Sequence, residues 1–298
     1  MTGVTTEKNL QIGGVRFRIS GEDSSWIEHL GSCYRAFVKE GAADEETVDV
    51  HIHMRREPMP VVEPADILFT NGTAWTMYRK DRQHIMVLTC PGQDTPFWTA
   101  KFGVDGSRVD VFINPEMSYH PVPPCSHPLD QMIVVLALAT RKGTLVHGTG
   151  MGLNGKGLVF AGKSGTGKST MASLLSELEG ILPLSDERVV IRELSEGFKV
   201  YGTPWHSNAG VAGPASQHLS AVFFLHHEND NRIERCDSAT SLERLLPVVS
   251  IPWYDRELIP HVVDFCGRII SDTPCFDLYF RPDHGISKEI LSFVGRCV

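Results

Sequence analysis

Long apolar runs, an excess of positive charge and a usable cysteine pattern are all missing from this 298-residue chain. No stretch approaches the roughly 18 consecutive apolar residues that a membrane-spanning helix needs, so no membrane partner is expected. Lysine and arginine together number 28 against 36 aspartates and glutamates, a formal net charge of −8. That balance offers no basic footprint, and nucleic acid is not an expected partner. The seven cysteines, at positions 33, 90, 125, 236, 266, 275 and 297, are odd in number and lack C-x-x-C spacing. Neither a disulfide framework nor a zinc site follows from them. The opening residues, Met-Thr-Gly-Val-Thr-Thr-Glu-Lys, carry no signal-peptide core. With the cysteine usage, this points to a reducing cytoplasm.

The first 115 residues read as a smaller, strand-rich α+β N-terminal domain. Leu10 to Ile19 suggests a hairpin around Gly13-Gly14. Trp26, Ile27, Leu30, Tyr34 and Phe37 recur at helical spacing and predict one amphipathic helix. Strands are expected at 48–54, 74–79, 84–89, 97–103 and 108–113, in an antiparallel sheet with turns at Asn71-Gly72 and Asp105-Gly106. The aromatics Trp75, Phe97, Trp98 and Phe102 fit ordinary sheet packing better than a ligand surface. Prolines at 115, 121, 123, 124 and 128 mark residues 116–128 as a linker. Leu129 to Arg141 then reads as an apolar helix, expected to pack under the hairpin that carries His147, and it opens a second domain over 129–298.

That second domain holds the most specific feature of the chain. Residues 162 to 169 read Gly-Lys-Ser-Gly-Thr-Gly-Lys-Ser, a complete G-x-x-x-x-G-K-[ST] phosphate loop between an apolar run, Gly157 to Ala161, and a helix-like stretch, Thr170 to Glu179. Glycines let successive N–H groups turn inward toward phosphate oxygens, and the helix adds its positive end. Gly162, Lys163, Ser164, Gly165, Thr166, Gly167, Lys168, Ser169 and Thr170 are therefore candidate ATP-binding residues. Lys168 would reach the phosphates and Ser169 would hold Mg²⁺. Asn154-Gly155 lies between two apolar runs just upstream, and Ser195-Glu-Gly197 plays the same part downstream. Hairpins on both sides of the loop predict a mixed sheet and an α/β domain.

From about Leu145 to Tyr201 the chain resembles the catalytic domain of HPr kinase/phosphorylase and its relatives, which share a phosphoenolpyruvate-carboxykinase-like fold. The resemblance rests on His147-Gly148, 21 residues before Lys168; on the phosphate loop; and on Leu184-Ser-Asp-Glu187, with Asp186 falling 18 residues after Lys168. It implies an ATP- and Mg²⁺-dependent kinase acting on a hydroxyl, with Asp186 as the base, and a homo-oligomer. Three departures stand out. Glu187 replaces the family's second aspartate, Thr170 stands where the bifunctional enzymes commonly have Glu, and Tyr201 to Asn208 stands where their Glu-x-Arg-Gly-x-Gly element would be. HPr is therefore not carried over as the substrate, and the acceptor is a hydroxyl, serine foremost, of a protein, peptide or small molecule. Phosphorylase activity and a non-catalytic nucleotide sensor are the alternatives.

Phosphoryl transfer needs a positioned phosphate, cationic charge and a base near the acceptor. Asp186 is either that base or a Mg²⁺ ligand alone, and catalytic candidates beside it are Lys168, His147 and Glu187. Glu187 shares the site only if the strand bends there, because side chains alternate along a strand; otherwise it pairs with Arg188 or Arg192. His147 is either structural or in contact with Asp186 or the phosphate. In the stretch Gly202 to Asn208, Trp205 fits a core plug, while His206 and Asn208 are candidates for touching the acceptor or metal. Arg256, Arg268 and Arg281 are more simply surface ion pairs than phosphate clamps. Adjacent His226 and His227 face opposite ways on a strand and do not make a metal site.

Overall fold

A computed structural model of the chain describes residues 6–21, 27, 30–41, 47–72, 74–89, 95–116, 123, 125–207 and 210–297. It is a mixed α/β structure with two large mixed sheets and a few helices. The chain forms two compact units: the first runs to Ala137, apart from Ile12–Gly14, and takes in Pro252–Arg256, and the second holds the remainder. Asn208 and most of the 116–128 segment lie outside the described residues.

The first unit is built on nine strands: β1 (Thr6–Ile12), β2 (Val15–Gly21), β3 (Val38–Lys39), β4 (Val50–Arg55), β5 (Ile67–Thr70), β6 (Trp75–Lys80), β7 (Gln83–Thr89), β8 (Pro96–Gly103) and β9 (Arg108–Ile113). Their order in the sheet is β3-β1-β2-β4-β9-β8-β7-β6-β5. From β5 to β9 it is the antiparallel meander expected from the turns. At β4 it is not, since β4 pairs in parallel with both β2 and β9. Turn residues specify sequential hairpins; a strand inserted from elsewhere leaves no such mark. Phe97, Trp98 and Phe102 are buried in the core, as sheet packing requires, and Trp75 meets Phe69 edge to face at 5.1 Å.

Two local expectations change. Of the helix expected from Trp26 to Phe37, Ile27 is helical, Leu30 and Gly31 are not, and Ser32–Phe37 is a 3-10 helix that buries Tyr34 and Phe37 three apart. Trp26 lies outside the described residues. Helix α1 (Leu129–Ala139) belongs to the first unit as far as Ala137. There the Tyr34 hydroxyl donates to the Asp130 carboxylate, and Gly106 approaches so closely that a Cβ on it would lie 3.0 Å from that of Leu136. Apolar on nearly every side, α1 carries no pattern that names its neighbour.

The second unit contains β10 (Gly143–Leu153), β11 (Lys156–Ala161), α2 (Lys168–Ser176), β12 (Ile181–Ser185), β13 (Arg188–Leu194), β14 (Gly197–Tyr201), β15 (Ser216–His227), β16 (Arg232–Arg235), α3 (Ser238–Leu245), α4 (Leu258–Asp272), β17 (Cys275–Phe280) and α5 (Gly285–Cys297). Asn154 and Gly155, at φ 51 and 80, make the tight turn between β10 and β11. The pairings β11-β10-β13-β14-β15 close on themselves because β15 also pairs in parallel with β11. Helix α4 packs against β10, and Leu138 near the end of α1 lies against Gly143 at the start of that strand. Alternate residues of the strands (Leu158 and Phe160, Phe223 and Leu225, Phe276 and Leu278) form one core with Met171 and Leu175 of α2 and with Ile286 and Ile290 of α5. Among the described residues no helix is long and apolar enough to cross a membrane.

Candidate functional site

Strand β10 is long, and its outer edge is shared. Its first half, Gly143 to His147, pairs with β13, and its second half, Gly150 to Leu153, pairs with β12. Asp186 and Glu187 are the two residues between β12 and β13. At that break the Gly148 N–H donates to the Glu187 carbonyl at 3.0 Å, and the Thr149 hydroxyl bridges the carbonyls of Asp186 (3.3 Å) and Lys168 (3.2 Å). The interruption removes strict strand alternation, so both carboxylates reach one cleft. Glu187 also lies 4.0 Å from the Arg188 guanidinium, so the two alternatives for this residue coexist.

The glycine-rich loop enters the cleft from the end of β11. Gly165 and Gly167 have φ of 84 and 93, and a Cβ on Gly167 would stand 2.6 Å from the Phe280 ring. Only glycine meets both the left-handed backbone and the close approach. The Lys163 carbonyl accepts from the Lys168 ammonium at 2.7 Å and from the Thr166 hydroxyl at 2.9 Å. Ser164, Gly165, Gly167, Lys168, Ser169 and Thr170 line a cleft of about 450 Å³, which His147, Asp186, Glu187 and Ser207 complete. Gly162, Lys163 and Thr166 face a second cavity of about 260 Å³ beside Phe224, Leu225 and Val248.

The far wall is the chain between β14 and β15. Gly202 sits where a Cβ would be 2.0 Å from the Gly213 carbonyl oxygen, and the Asp186 N–H donates to the Val211 carbonyl at 3.2 Å. Ser207 then grips the Asp186 side chain twice: its N–H donates to Oδ1 and its hydroxyl to Oδ2, each at 2.9 Å. The Ser207 oxygen is also 3.0 Å from the Ser169 oxygen. With its proton committed to Asp186, Ser207 accepts from Ser169. Asp186 is 1% exposed, so these contacts carry most of its polar satisfaction on the cleft side.

Burial sets the electrostatics. His147 is pushed down to about 4, first by desolvation and then by the charges of Lys168 and Arg188, so the ring is neutral at neutral pH. Its Nδ1 is buried with no hydrogen-bond partner. Lys168, 7% exposed, is also lowered by desolvation, with Arg188 adding to the shift and Glu187 opposing it. The Lys168 ammonium, the N-terminus of α2 and an unpartnered imidazole nitrogen make one side of the cleft receptive to an anion. The buried carboxylate and two hydroxyls opposite supply hard oxygen donors. No three His, Cys, Asp or Glu side chains cluster as a metal site among the described residues.

Most of the candidate residues thus come together, and some do not. His147 lines the cleft with Asp186, but the charges acting on it are those of Lys168 and Arg188. His206 is exposed, its Nδ1 3.2 Å from the neighbouring Ser207 carbonyl, and it does not line the cleft. Trp205 is buried as a core plug. Arg268 pairs with Glu193 at 3.0 Å and Arg281 with Asp283 at 2.5 Å. His226 instead meets Asp277 at 2.5 Å. Ser207 was not singled out by sequence; it lies in a stretch that drew attention for its neighbours, and nothing in its spacing ties it to Asp186. No protein-family profile matches the chain, and no curated protein sequence matches it.

Proposed function

We propose that the second unit is an ATP- and Mg²⁺-dependent phosphotransferase of the HPr kinase type, which phosphorylates a hydroxyl, serine foremost, on a protein, peptide or small molecule. The observation that supports this reading is the shared cleft. Ser164, Gly165, Gly167, Lys168 and Ser169 of the phosphate-loop motif line it together with Asp186 and Glu187, which are brought in by the gap between β12 and β13. A phosphate-binding wall thereby faces a carboxylate wall, the pairing that phosphoryl transfer needs.

ATP would supply the phosphoryl group; Ser169 and Asp186 would hold Mg²⁺, whose charge would offset that of the phosphates. The loop N–H groups orient the phosphates, and Lys168 leaves the Lys163 carbonyl to meet them. Asp186, which already takes a hydroxyl proton from Ser207 at 2.9 Å, is the base for the acceptor hydroxyl. Neutral His147 offers Nδ1 as a hydrogen-bond acceptor or, once protonated beside a bound anion, as a donor. Desolvation within the cleft strengthens each of these interactions.

A second reading, a nucleotide sensor without catalysis, is favoured by one observation: both Asp186 oxygens are already engaged by Ser207. Nucleotide affinity measured beside phosphoryl transfer to a panel of hydroxyl acceptors separates the two. Lys168→Ala is expected to abolish tight nucleotide binding, and its retaining full binding and transfer would refute the phosphate-loop assignment. Tight binding without transfer, unchanged in Asp186→Asn, selects the sensor.

A further inference from the structure

Ser207 takes no part in the motif, yet its oxygen lies between the two side chains to which the cation is assigned. We propose that Ser207 is a third protein ligand of that cation, its hydroxyl oxygen completing a set with Ser169 Oγ and Asp186 Oδ2. The proposal rests on the phosphotransferase reading for the presence of a cation, and it adds a ligand which that reading does not require.

The distances carry the argument. Magnesium holds six oxygens at about 2.0–2.1 Å in a near-ideal octahedron, so neighbouring ligand oxygens stand about 2.8–3.0 Å apart. Ser207 Oγ is 2.9 Å from Asp186 Oδ2 and 3.0 Å from Ser169 Oγ, the length of two octahedron edges meeting at one corner. The donor chemistry agrees. A carboxylate oxygen and two hydroxyl oxygens are a hard set, suited to Mg²⁺ and poor for softer metals.

The corner is also held in place. Ser207 is fixed through its own N–H to Asp186 Oδ1 at 2.9 Å. The same chain segment is anchored at Gly202, whose N–H donates to the Ala215 carbonyl at 3.0 Å, and at Val211, whose carbonyl accepts from the Asp186 N–H at 3.2 Å. A hydroxyl so positioned exchanges its hydrogen bond to Asp186 for a lone pair on the cation without moving the backbone, and Asp186 Oδ2, no longer taking that proton, turns to the same cation. The segment that grips Asp186 thereby becomes part of the metal shell.

The test is Mn²⁺ binding to the full-length protein with a nonhydrolysable ATP analogue, followed by the electron paramagnetic resonance signal of free Mn²⁺. Ser207→Ala is expected to weaken Mn²⁺ about tenfold or more, while Ser207→Thr, which keeps the oxygen, stays near wild type. Ser207→Cys is expected to gain Cd²⁺ binding and lose Mg²⁺, a change of preference that a merely positioning residue does not produce. Mn²⁺ affinity in Ser207→Ala equal to wild type, or an unchanged cation preference in Ser207→Cys, overturns the proposal while wild-type nucleotide binding leaves the phosphotransferase reading standing. Failure of the wild type to bind the analogue with or without cation removes both.

Discussion

Asp186 in the second unit and Asp255 in the first are almost equally removed from solvent, at 1% and 0% exposed, yet they sit in opposite surroundings. Asp255 lies 3.6 Å from His84 Nε2, and His84 is fully buried between Phe102 and Tyr254, ring centroids 5.7 and 5.4 Å away. Neither His84 nitrogen has a hydrogen-bond partner among the described residues. Asp186 instead lines an open cleft, where it accepts from Ser207, which in turn meets Ser169. Burial is common to both carboxylates; what separates a candidate site from a packed interior is access and the convergence of other polar groups.

The largest expected difference between the two carboxylates is in chemistry. Asp186→Asn should lower phosphoryl transfer by about 10²–10⁴-fold with nucleotide affinity little changed, whereas Asp255→Asn should leave the transfer rate of the folded protein alone. Equal losses of transfer in the two variants would erase the distinction. Next comes packing: Trp98, 0% exposed in the first unit, should cost about 3–5 kcal/mol on truncation to alanine. Thermal unfolding with and without nucleotide would show whether the ligand-induced stabilisation survives that loss, as it should for a site built in the second unit.

A smaller effect, about 1–3 kcal/mol, is expected for Gly167→Ala, which combines a left-handed φ of 93 with a 2.6 Å approach to Phe280. Nucleotide affinity should fall with it, since the loop must shift to admit the methyl group. Smallest and most diagnostic is pH. Burial lowers both His84 and His147, the latter to about 4, below their ordinary value of 6.5. The unfolded chain then takes up protons first as pH drops, so these groups leave stability intact above about pH 6.5 and erode it below. Melting temperature from pH 8 to pH 5 should therefore decline, less steeply in His147→Asn. Histidine titration by NMR should show a polyphosphate raising the His147 pKa and leaving that of His84 unmoved.

The sequence made the glycine-rich side of the cleft legible because each signal there is local. Asn154-Gly155 closes its hairpin by adopting positive φ at adjacent residues, and Gly165 and Gly167 announce the same need in the loop. The opposite wall was legible only as a neighbourhood. Asp186 and Glu187 could be named from order and spacing, but their sharing of one cleft depends on β10 dividing its edge between β12 and β13. His206 has the more conspicuous chemistry yet is exposed, and Ser207 beside it makes the contact, because the path of a loop rather than residue type selects which side chain turns inward. In the first unit the meander could be read from its turns, whereas the insertion of β4 between β2 and β9 could not.

By itself the sequence determined the turns, the strands they join and the glycine-rich loop between β11 and α2, since those depend on backbone preferences acting over a few residues. Only the tertiary structure decided that α1 joins the first unit, that His84 and Asp255 are enclosed together and that Ser207 closes on Asp186 across 21 residues. Such contacts form when ordering the intervening chain is offset by burial and hydrogen bonds elsewhere in the fold, a balance that no short window of sequence contains.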